Sequence, residues 1–307
     1  MKALKLSNLN RLIIASININ SIKNKFDSFK LWVKGNIDII VVTETKLDDS
    51  FTKQQFAIEG YHLPYSRHRD VTGGGVMIFV REDIPCREII NNHVSENMEG
   101  IFLEISTRKQ KWLLFGGYCN NKANIVTFLD TLGPILDRHM SRYENFLLLC
   151  DFNSEITELR MNEFCETYNL KSLINEPTCF KSILNPSCID LILTNKHRSF
   201  QSSHTVETGL SDHHKMVISV MRSYFPKQAP VLVTYRDFKN YDNLAFRAEL
   251  HYKLVNSGSI AEYEVFQSIF MDTFNKHAPM KEKYVRANNA PFINRACLLY
   301  TSDAADE

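Results

Sequence analysis

The stretch FLLLCDFN, residues 146–153, decides the fold class. Its first five residues, Phe146 to Cys150, are all apolar, which marks a strand buried on both faces rather than one half-open to solvent. Strand alternation carried past that run puts Asp151 and Asn153 on one side and Phe152 on the other. Working outward, RLIIASI (11–17) and IDIIVVTET (37–45) show the same apolar continuity. VMIFV (76–80) follows the triplet Gly73-Gly74-Gly75, and Ile101–Ile105 alternates ahead of WLLFGGY (112–118). IDLILTN (189–195) and KMVISVM (215–221) complete the set. Between the strands lie helical patterns. Asn24–Lys34 carries Phe26, Phe29, Leu31 and Val33, and Asn124–Met140 aligns Ile125, Phe128, Leu129, Leu132 and Leu136 on one face. Buried strands interleaved with helices predict an α/β architecture with its sheet covered on both sides.

The remaining sequence narrows the class. The chain has 307 residues, and 44% hydrophobic with 23% charged residues excludes a disordered or fibrous protein. Lys+Arg is 36 against Asp+Glu 35, a net charge of +1, so a polyanion would have to be held by a local site and not by a global field. The seven cysteines are odd in number and no two are spaced Cys-x-x-Cys, which argues against a disulfide framework or zinc knuckle and for a reducing compartment. Near the N-terminus the apolar run is only Leu12–Ala15, too short for a signal peptide. No window approaches the roughly 18 apolar residues of a membrane span, so an intracellular protein with no membrane partner is expected. Pro226 and Pro230 break the chain, after which Tyr241–Asn256 and Ile260–His277 read as helices of an appended arm. The expected division is 8–222 as the α/β domain, 223–296 as a helical connector, and 297–307 as a tail of doubtful origin.

Polar residues collect at the strand ends. Asn18 and Asn20 follow the first strand, Glu44 ends the second, and Asp151 and Asn153 end the strand at 146–153. Ser211, Asp212 and His213 follow Gly209, while Asp190 and Tyr118 sit at strand edges. Each has a plainer reading. Asn18 and Asn20 make a turn, Asp151 or Asn153 caps a helix, and His213 sits in a solvated loop. Glu44 is different, because a carboxylate after four buried apolar residues is costly without a partner. Taken together, the set suits metal-assisted phosphodiester hydrolysis, in which one carboxylate anchors Mg²⁺, another activates water and a cation faces the phosphate. No Gly-x-x-x-x-Gly-Lys loop and no Gly-x-Ser-x-Gly elbow is present, which disfavours a P-loop NTPase and an α/β-hydrolase.

In this order the motifs ININSIKNKFD (17–27), DIIVVTETKLDDSF (38–51), TGGGVMIFVR (72–81), CDFNSE (150–155), SCIDLILTN (187–195) and GLSDHHKMV (209–217) resemble the endonuclease/exonuclease/phosphatase superfamily. More narrowly, the chain is similar to the apurinic-endonuclease-like domain of non-LTR, jockey-like retrotransposon polyproteins. VRANNAPFINRA (285–296) resembles the connector that precedes a reverse transcriptase in such elements, although no polymerase follows in this sequence. The resemblance implies a two-sheet α/β sandwich followed by a helical arm. It implies Mg²⁺, with Mn²⁺ as a substitute, on Glu44 with Asn18 and Asn20, supported by Asp212. Asp151 would activate water, Asn153 would fix the phosphate or that aspartate, and Tyr118 and Asn121 would lie near the scissile phosphate. Asp190 would orient His213, which would stabilise the transition state. The implied activity is nicking of DNA to leave a 3′-hydroxyl that primes reverse transcription, in the nucleus, with a covalently linked reverse transcriptase in the full-length element. The alternatives are a phosphatase or phospholipase of the same superfamily, or a decayed inactive fragment. Two departures stand out: Cys150 replaces the glycine usual before Asp-x-Asn, and the proline often found after the tyrosine is missing from GYCNN (117–121).

Overall fold

The computed structural model of the chain describes residues 1–89, 98–107, 110–212, 214–222, 231–257 and 263–285. The chain divides into two compact units, Met1–Pro226 and Lys227–Glu307. In the first unit the apolar runs become strands: β1 (Leu12–Asn18), β2 (Ile39–Thr43), β3 (Tyr65–Arg67), β4 (Val76–Val80), β5 (Cys86–Glu88) and β6 (Glu99–Ser106). They continue as β7 (Lys111–Tyr118), β8 (Asn145–Asp151), β9 (Lys171–Ser172), β10 (Asp190–Thr194), β11 (Phe200–Val206) and β12 (Met216–Met221). The helices are α1 (Lys2–Leu6), α2 (Phe26–Val33), α3 (Ile125–Met140) and α4 (Leu159–Thr167).

Two six-stranded mixed sheets result, one ordered β11-β12-β1-β2-β4-β3 and the other β5-β6-β7-β8-β10-β9. Each holds one parallel pair, β1 with β2 and β7 with β8. A parallel pair needs a crossover, which α2 and α3 supply. Alternation then sorts every strand between two environments. Leu12, Ile14, Ile39 and Val41 of the first sheet meet Leu114, Leu147, Leu149 and Ile192 of the second in one buried layer. The opposite parity of the first sheet, Ile13, Ala15, Ile40 and Val42, packs against Phe29 and Val33 of α2. The opposite parity of the second, Leu113, Phe115, Leu148 and Cys150, packs under Phe128, Leu129 and Leu132 of α3 and Met161 of α4. This is the expected two-sheet α/β sandwich. Cys150 thus points outward from the sandwich into the α3 layer, where it is a small buried apolar group.

The same parity dictates where the polar strand ends point. Asn18 follows Ser16, Ile14 and Leu12, and Asp151 follows Leu149 and Leu147, on the faces that meet between the sheets. Tyr118 is itself in that inner layer, and Asp190 shares the parity of Ile192. Register completes the placement: Asp151 is the backbone partner of both Tyr118 and Asp190, while Asn18 is the partner of Thr43. The strand ends therefore gather on one rim of the sandwich.

The second unit differs from a purely helical arm. It contains α5 (Asn243–Asn256) and α6 (Tyr263–His277), near the expected helices, and also an antiparallel pair, β13 (Val231–Arg236) with β14 (Met280–Val285). The strand pair was not legible because MKEKYV reads as a polar segment, and its pairing partner lies some fifty residues upstream. Residues 286–307, including Arg286 and the tail, lie outside the described residues. Among the described residues, no helix is long and apolar enough to cross a membrane.

Candidate active site

Two hydrogen-bonded chains of side chains occupy the rim. In the first, Tyr118 donates its hydroxyl to Glu44 Oε1 at 2.7 Å, and Lys46 Nζ lies 3.5 Å from Glu44 Oε2. Lys46 also donates to Asn20 Oδ1, and Asn20 Nδ2 donates to Asp212 Oδ2 at 3.1 Å. In the second, Asn18 Nδ2 donates to Asp151 Oδ2 at 2.8 Å, and the Asn153 backbone N–H donates to Asp151 Oδ1 at 3.0 Å. Asp190 Oδ2 accepts from Thr178 Oγ1 at 2.8 Å and lies 2.9 Å from His214 Nδ1. One oxygen or nitrogen each of Asp151, Asp190 and His214 falls within 4.8 Å of the others. The Asn18 amide joins the chains, since it also favours the ionised form of Glu44.

Backbone conformation aims these groups. Glu44 has φ +51° and Lys46 φ +53°, in the left-handed region that non-glycine residues enter at a cost. Neighbouring hydrogen bonds hold them there: Ser21 N donates to Glu44 O at 2.8 Å, and Lys46 N donates to Gly74 O at 3.0 Å. Asn153 has φ +50°, and its side chain turns back to donate to Cys119 O at 2.7 Å. That leaves its backbone N–H, not its amide, on Asp151.

The electrostatics separate the carboxylates. Burial opposes ionisation of Glu44, but the Tyr118 hydroxyl, Lys46, Lys181 and Asn18 outweigh it and hold the carboxyl below its usual range. Burial together with neighbouring Asp190 pushes Asp151 up to about 7, against the pull of His214 and Asn18. Burial also works against the His214 imidazolium, yet its bonds to Asp190 and Cys179 and the nearby Asp151 raise it to about 10. An ionised carboxylate, a carboxyl poised near neutrality and a buried imidazolium thus share one rim. Divergent titration of neighbouring groups is a recurring mark of catalytic sites.

Among the described residues the imidazole on Asp190 is that of His214. The expected pairing of Asp190 with His213 falls on a residue outside the described residues. Backbone pairing explains the choice: His214 forms an antiparallel bridge with Cys179, and Lys215 N donates to Thr178 O at 2.8 Å. This anchors His214 to the segment whose Thr178 holds Asp190. Asn121 is not joined to either chain of contacts; its side chain accepts from Asn124 N at 3.1 Å and starts the turn before α3. Sequence reading missed His214, Thr178, Lys46 and Glu99. For Glu99 a signal existed: it shares the parity of Ile101, Leu103 and Ile105 and is the register partner of Tyr118.

The rim fits a hard divalent cation. The potential ligand atoms around Glu44 are carboxylate, hydroxyl and amide oxygens, alongside the Lys46 ammonium, and the Glu44 carboxylate is 16% exposed and ionised. Buried Thr43 Oγ1 and Thr45 Oγ1, on either side of Glu44, and Ser211 Oγ beside Asp212 have no hydrogen-bond partner among the described residues. Unsatisfied buried oxygens at such a place are suited to an ion or its waters.

Comparison with known proteins bears on the family and the fold. Residues 15–213 match the model of the Endonuclease/Exonuclease/phosphatase family. No curated protein sequence is significantly similar. Among solved structures, the endonuclease domain of TRAS1, a telomere-specific non-LTR retrotransposon, is similar with a TM-score of 0.54 at 13% identity, over 69% of this chain and 98% of that one. The catalytic domain of Xenopus laevis APE2 gives 0.53 at 20% identity, over 69% and 92%. The 3′ phosphatase NExo from Neisseria, bound to a product DNA hairpin, gives 0.57 at 15% identity, over 68% and 99%. At such identities the likeness is one of fold.

Proposed function

The chain belongs to the endonuclease/exonuclease/phosphatase family, whose members are hydrolytic nucleases and phosphatases, and on that premise we propose that it is a metal-dependent DNA endonuclease of a non-LTR retroelement. It would nick one strand and leave a 3′-hydroxyl to prime a reverse transcriptase, joined to this domain in the full-length element and acting in the nucleus. Residues 8–222 would form the nuclease, and 223–296 the connector to the polymerase. The observation that carries the reading is the convergence of Asp151, Asp190 and His214 beside ionised Glu44 on one rim.

Each group has a task its surroundings support. Asp151, raised to about 7, takes a proton from water once it is ionised, and Asn18 with the Asn153 N–H fixes its orientation. The His214 imidazolium, aligned by Asp190, offers fixed positive charge to a pentavalent phosphate. Tyr118 keeps its proton, because burial and Glu44 raise it far above neutrality, and so acts as a donor. Glu44, with Asn18 and Asp212 as further oxygen donors, would hold Mg²⁺ or Mn²⁺, which when bound neutralises charge on the phosphate and the leaving oxygen. The six ordered motifs and the likeness to the TRAS1 domain favour the retroelement assignment. The likeness to the NExo phosphatase supports a second reading, removal of a terminal 3′-phosphate.

Supercoiled plasmid with Mg²⁺ tests the choice. Nicking should stop with a chelator and fall by at least 100-fold in Glu44→Gln, Asp151→Asn and His214→Ala, since each removes a separate part of the site. Nicking that persists in Glu44→Gln and His214→Ala alike refutes the assignment. Phosphate release from 3′-phosphorylated ends without any nicking selects the phosphatase reading.

A further inference from the structure

A cavity that the proposed hydrolysis does not use lies where the chain leaves the rim. It has a volume of about 490 Å³, an ordinary size for a ligand site, and sits between the start of α2 and residues 51–57. Phe26, Phe51 and Phe56 line it, with Lys23, Lys30 and Gln55. Phe56 is buried, and the half-buried Phe26 and Phe51 rings pack on it at 5.2 and 6.2 Å. Phe26 is tied through Phe29 to Phe79 in the core, at 6.4 and 5.2 Å, so the platform is anchored. Ammonium groups cover the open ring faces. Lys23 Nζ stands 4.8 Å from the Phe51 centroid and Lys30 Nζ 5.5 Å from that of Phe26, while Lys30 also pairs with exposed Asp27 at 3.2 Å.

We propose that this cavity takes one unpaired nucleobase of the DNA strand being cut, stacked on the phenylalanine platform, with Lys23 and Lys30 on the flanking phosphates. The lining selects the chemistry. Open aromatic faces favour a flat ring, and the two ammoniums favour an anion; an unpaired nucleotide supplies both in one ligand. An apolar protein segment would cover both ammoniums without giving them an acceptor. Each lysine sits on a flexible stem, so moving its head onto a phosphate frees the ring face beneath it. Gln55 Oε1 already accepts from Thr52 N at 2.7 Å, which leaves its amide N–H groups to donate to a base edge. The path from the rim is short and fixed. Ser21 N and Ile22 N donate to Glu44 O and Thr45 O at 2.8 and 3.1 Å, and Lys25 Nζ donates to the Ile19 and Asn20 carbonyls at 2.9 and 3.2 Å. Three residues carry the backbone at most about 11 Å from Asn20 to Lys23, roughly the length of three stacked nucleotides. That the base belongs to the strand being cut rests on the nuclease reading; that the cavity holds a base does not.

In chelator, where nothing is cut, the anisotropy of a labelled oligothymidylate of about ten nucleotides measures binding to the full chain. An oligomer of the same length and charge but without bases should bind at least about fivefold more weakly. Phe51→Ala should lose about five- to a hundredfold on the oligothymidylate and nothing on the abasic oligomer, with folding confirmed by circular dichroism. Phe51→Trp should restore the affinity, and its added indole emission should be quenched by the oligothymidylate and not by the abasic oligomer. Lys23→Gln should flatten the salt dependence by about one phosphate contact. Equal binding of the two oligomers, or an unquenched indole in Phe51→Trp, overturns the base site. An unchanged salt slope in Lys23→Gln overturns the phosphate contact. Free thymidine monophosphate competing as well as the oligothymidylate overturns the strand as the occupant. Plasmid nicking decides the other reading separately: no nicking with base-dependent binding intact sinks the nuclease assignment and upholds the cavity, whereas nicking with base-independent binding sinks the cavity alone.

Discussion

Asp151 and His214 bind protons more tightly in the folded chain than out of it, and the consequence for stability has a definite sign. His214 rises from a usual 6.5 to about 10, so between those values the folded state holds a proton that the unfolded state has lost. Its stabilisation is complete below about pH 6.5 and fades as pH climbs towards 10, with a slope of up to about 1.4 kcal/mol per pH unit for one proton. Asp151, raised from 3.8 to about 7, acts in the same direction over the lower window. Replacing Asp190 by Asn removes the largest favourable influence on the imidazolium. In chelator, the gap in melting temperature between wild type and Asp190→Asn should therefore narrow steadily from pH 6.5 to 10. A constant gap would show that His214 is not held protonated by Asp190. Much of this site was legible from residue types alone: Glu44 after a buried run, and Asp151 with Asn18 at strand ends of matching parity. The choice between His213 and His214 was not, because adjacent imidazoles ahead of a strand look alike until Cys179 pairs with one of their backbones.

The loop that carries Glu44 is held by an element of another kind, the glycine triplet before β4. Gly74 and Gly75 have φ of +68° and +86°, and a Cβ on Gly75 would sit 2.4 Å from Thr45 Oγ1. Their carbonyls accept from Lys46 N and Thr45 N, which fixes the left-handed turn at Glu44. Glu99, at the start of β6 in the opposite sheet, closes the arrangement: its Oε2 accepts from Gly75 N at 2.6 Å and its Oε1 pairs with Arg69. Gly75→Ala combines a forbidden backbone angle with a clash and should cost about 1–3 kcal/mol in urea unfolding. Glu99→Ala leaves Gly75 N without its charged acceptor and should cost about 1.5–3 kcal/mol, with Glu99→Gln milder. Variants as stable as wild type would show that the triplet is merely a spacer. Strands built from continuous apolar runs were readable in advance. Those missed were the two- and three-residue strands β3, β5 and β9, too short to show a period, β11, whose FQSSHTV mixes polarity at the edge of its sheet beside β12, and the second unit's β13 and β14. α4 was missed because LRMNEFCET commits only Met161, Phe164 and Cys165 to the core.

Each of the two units has its own interior, which bears on how the whole chain unfolds. The first encloses three apolar layers, between and on both sides of its sheets. Gly116 lies where those sheets meet, so that an added Cβ would approach Val41 and Ile78 within 2.9 Å. The second unit is held by a chain of ring contacts: Phe238 and Tyr241 on Phe274, Phe246 on Phe270 and Phe274, and His277 on Phe246. Ion pairs add to this: Lys276 pairs with Glu249 at 2.7 Å and Lys281 with Asp237 at 2.5 Å. The groups proposed to carry catalysis all come from strands of the first unit and their flanking turns. A chain ending at residue 226 should accordingly fold and melt in one cooperative transition within about 2 °C of the corresponding transition in the full chain. Calorimetry of both chains measures this: the full chain should add a second, smaller transition for the other unit. Loss of cooperative melting in the shortened chain would mean that residues beyond 226 complete the core of the first unit, and that the sandwich and its rim are not a self-sufficient fold.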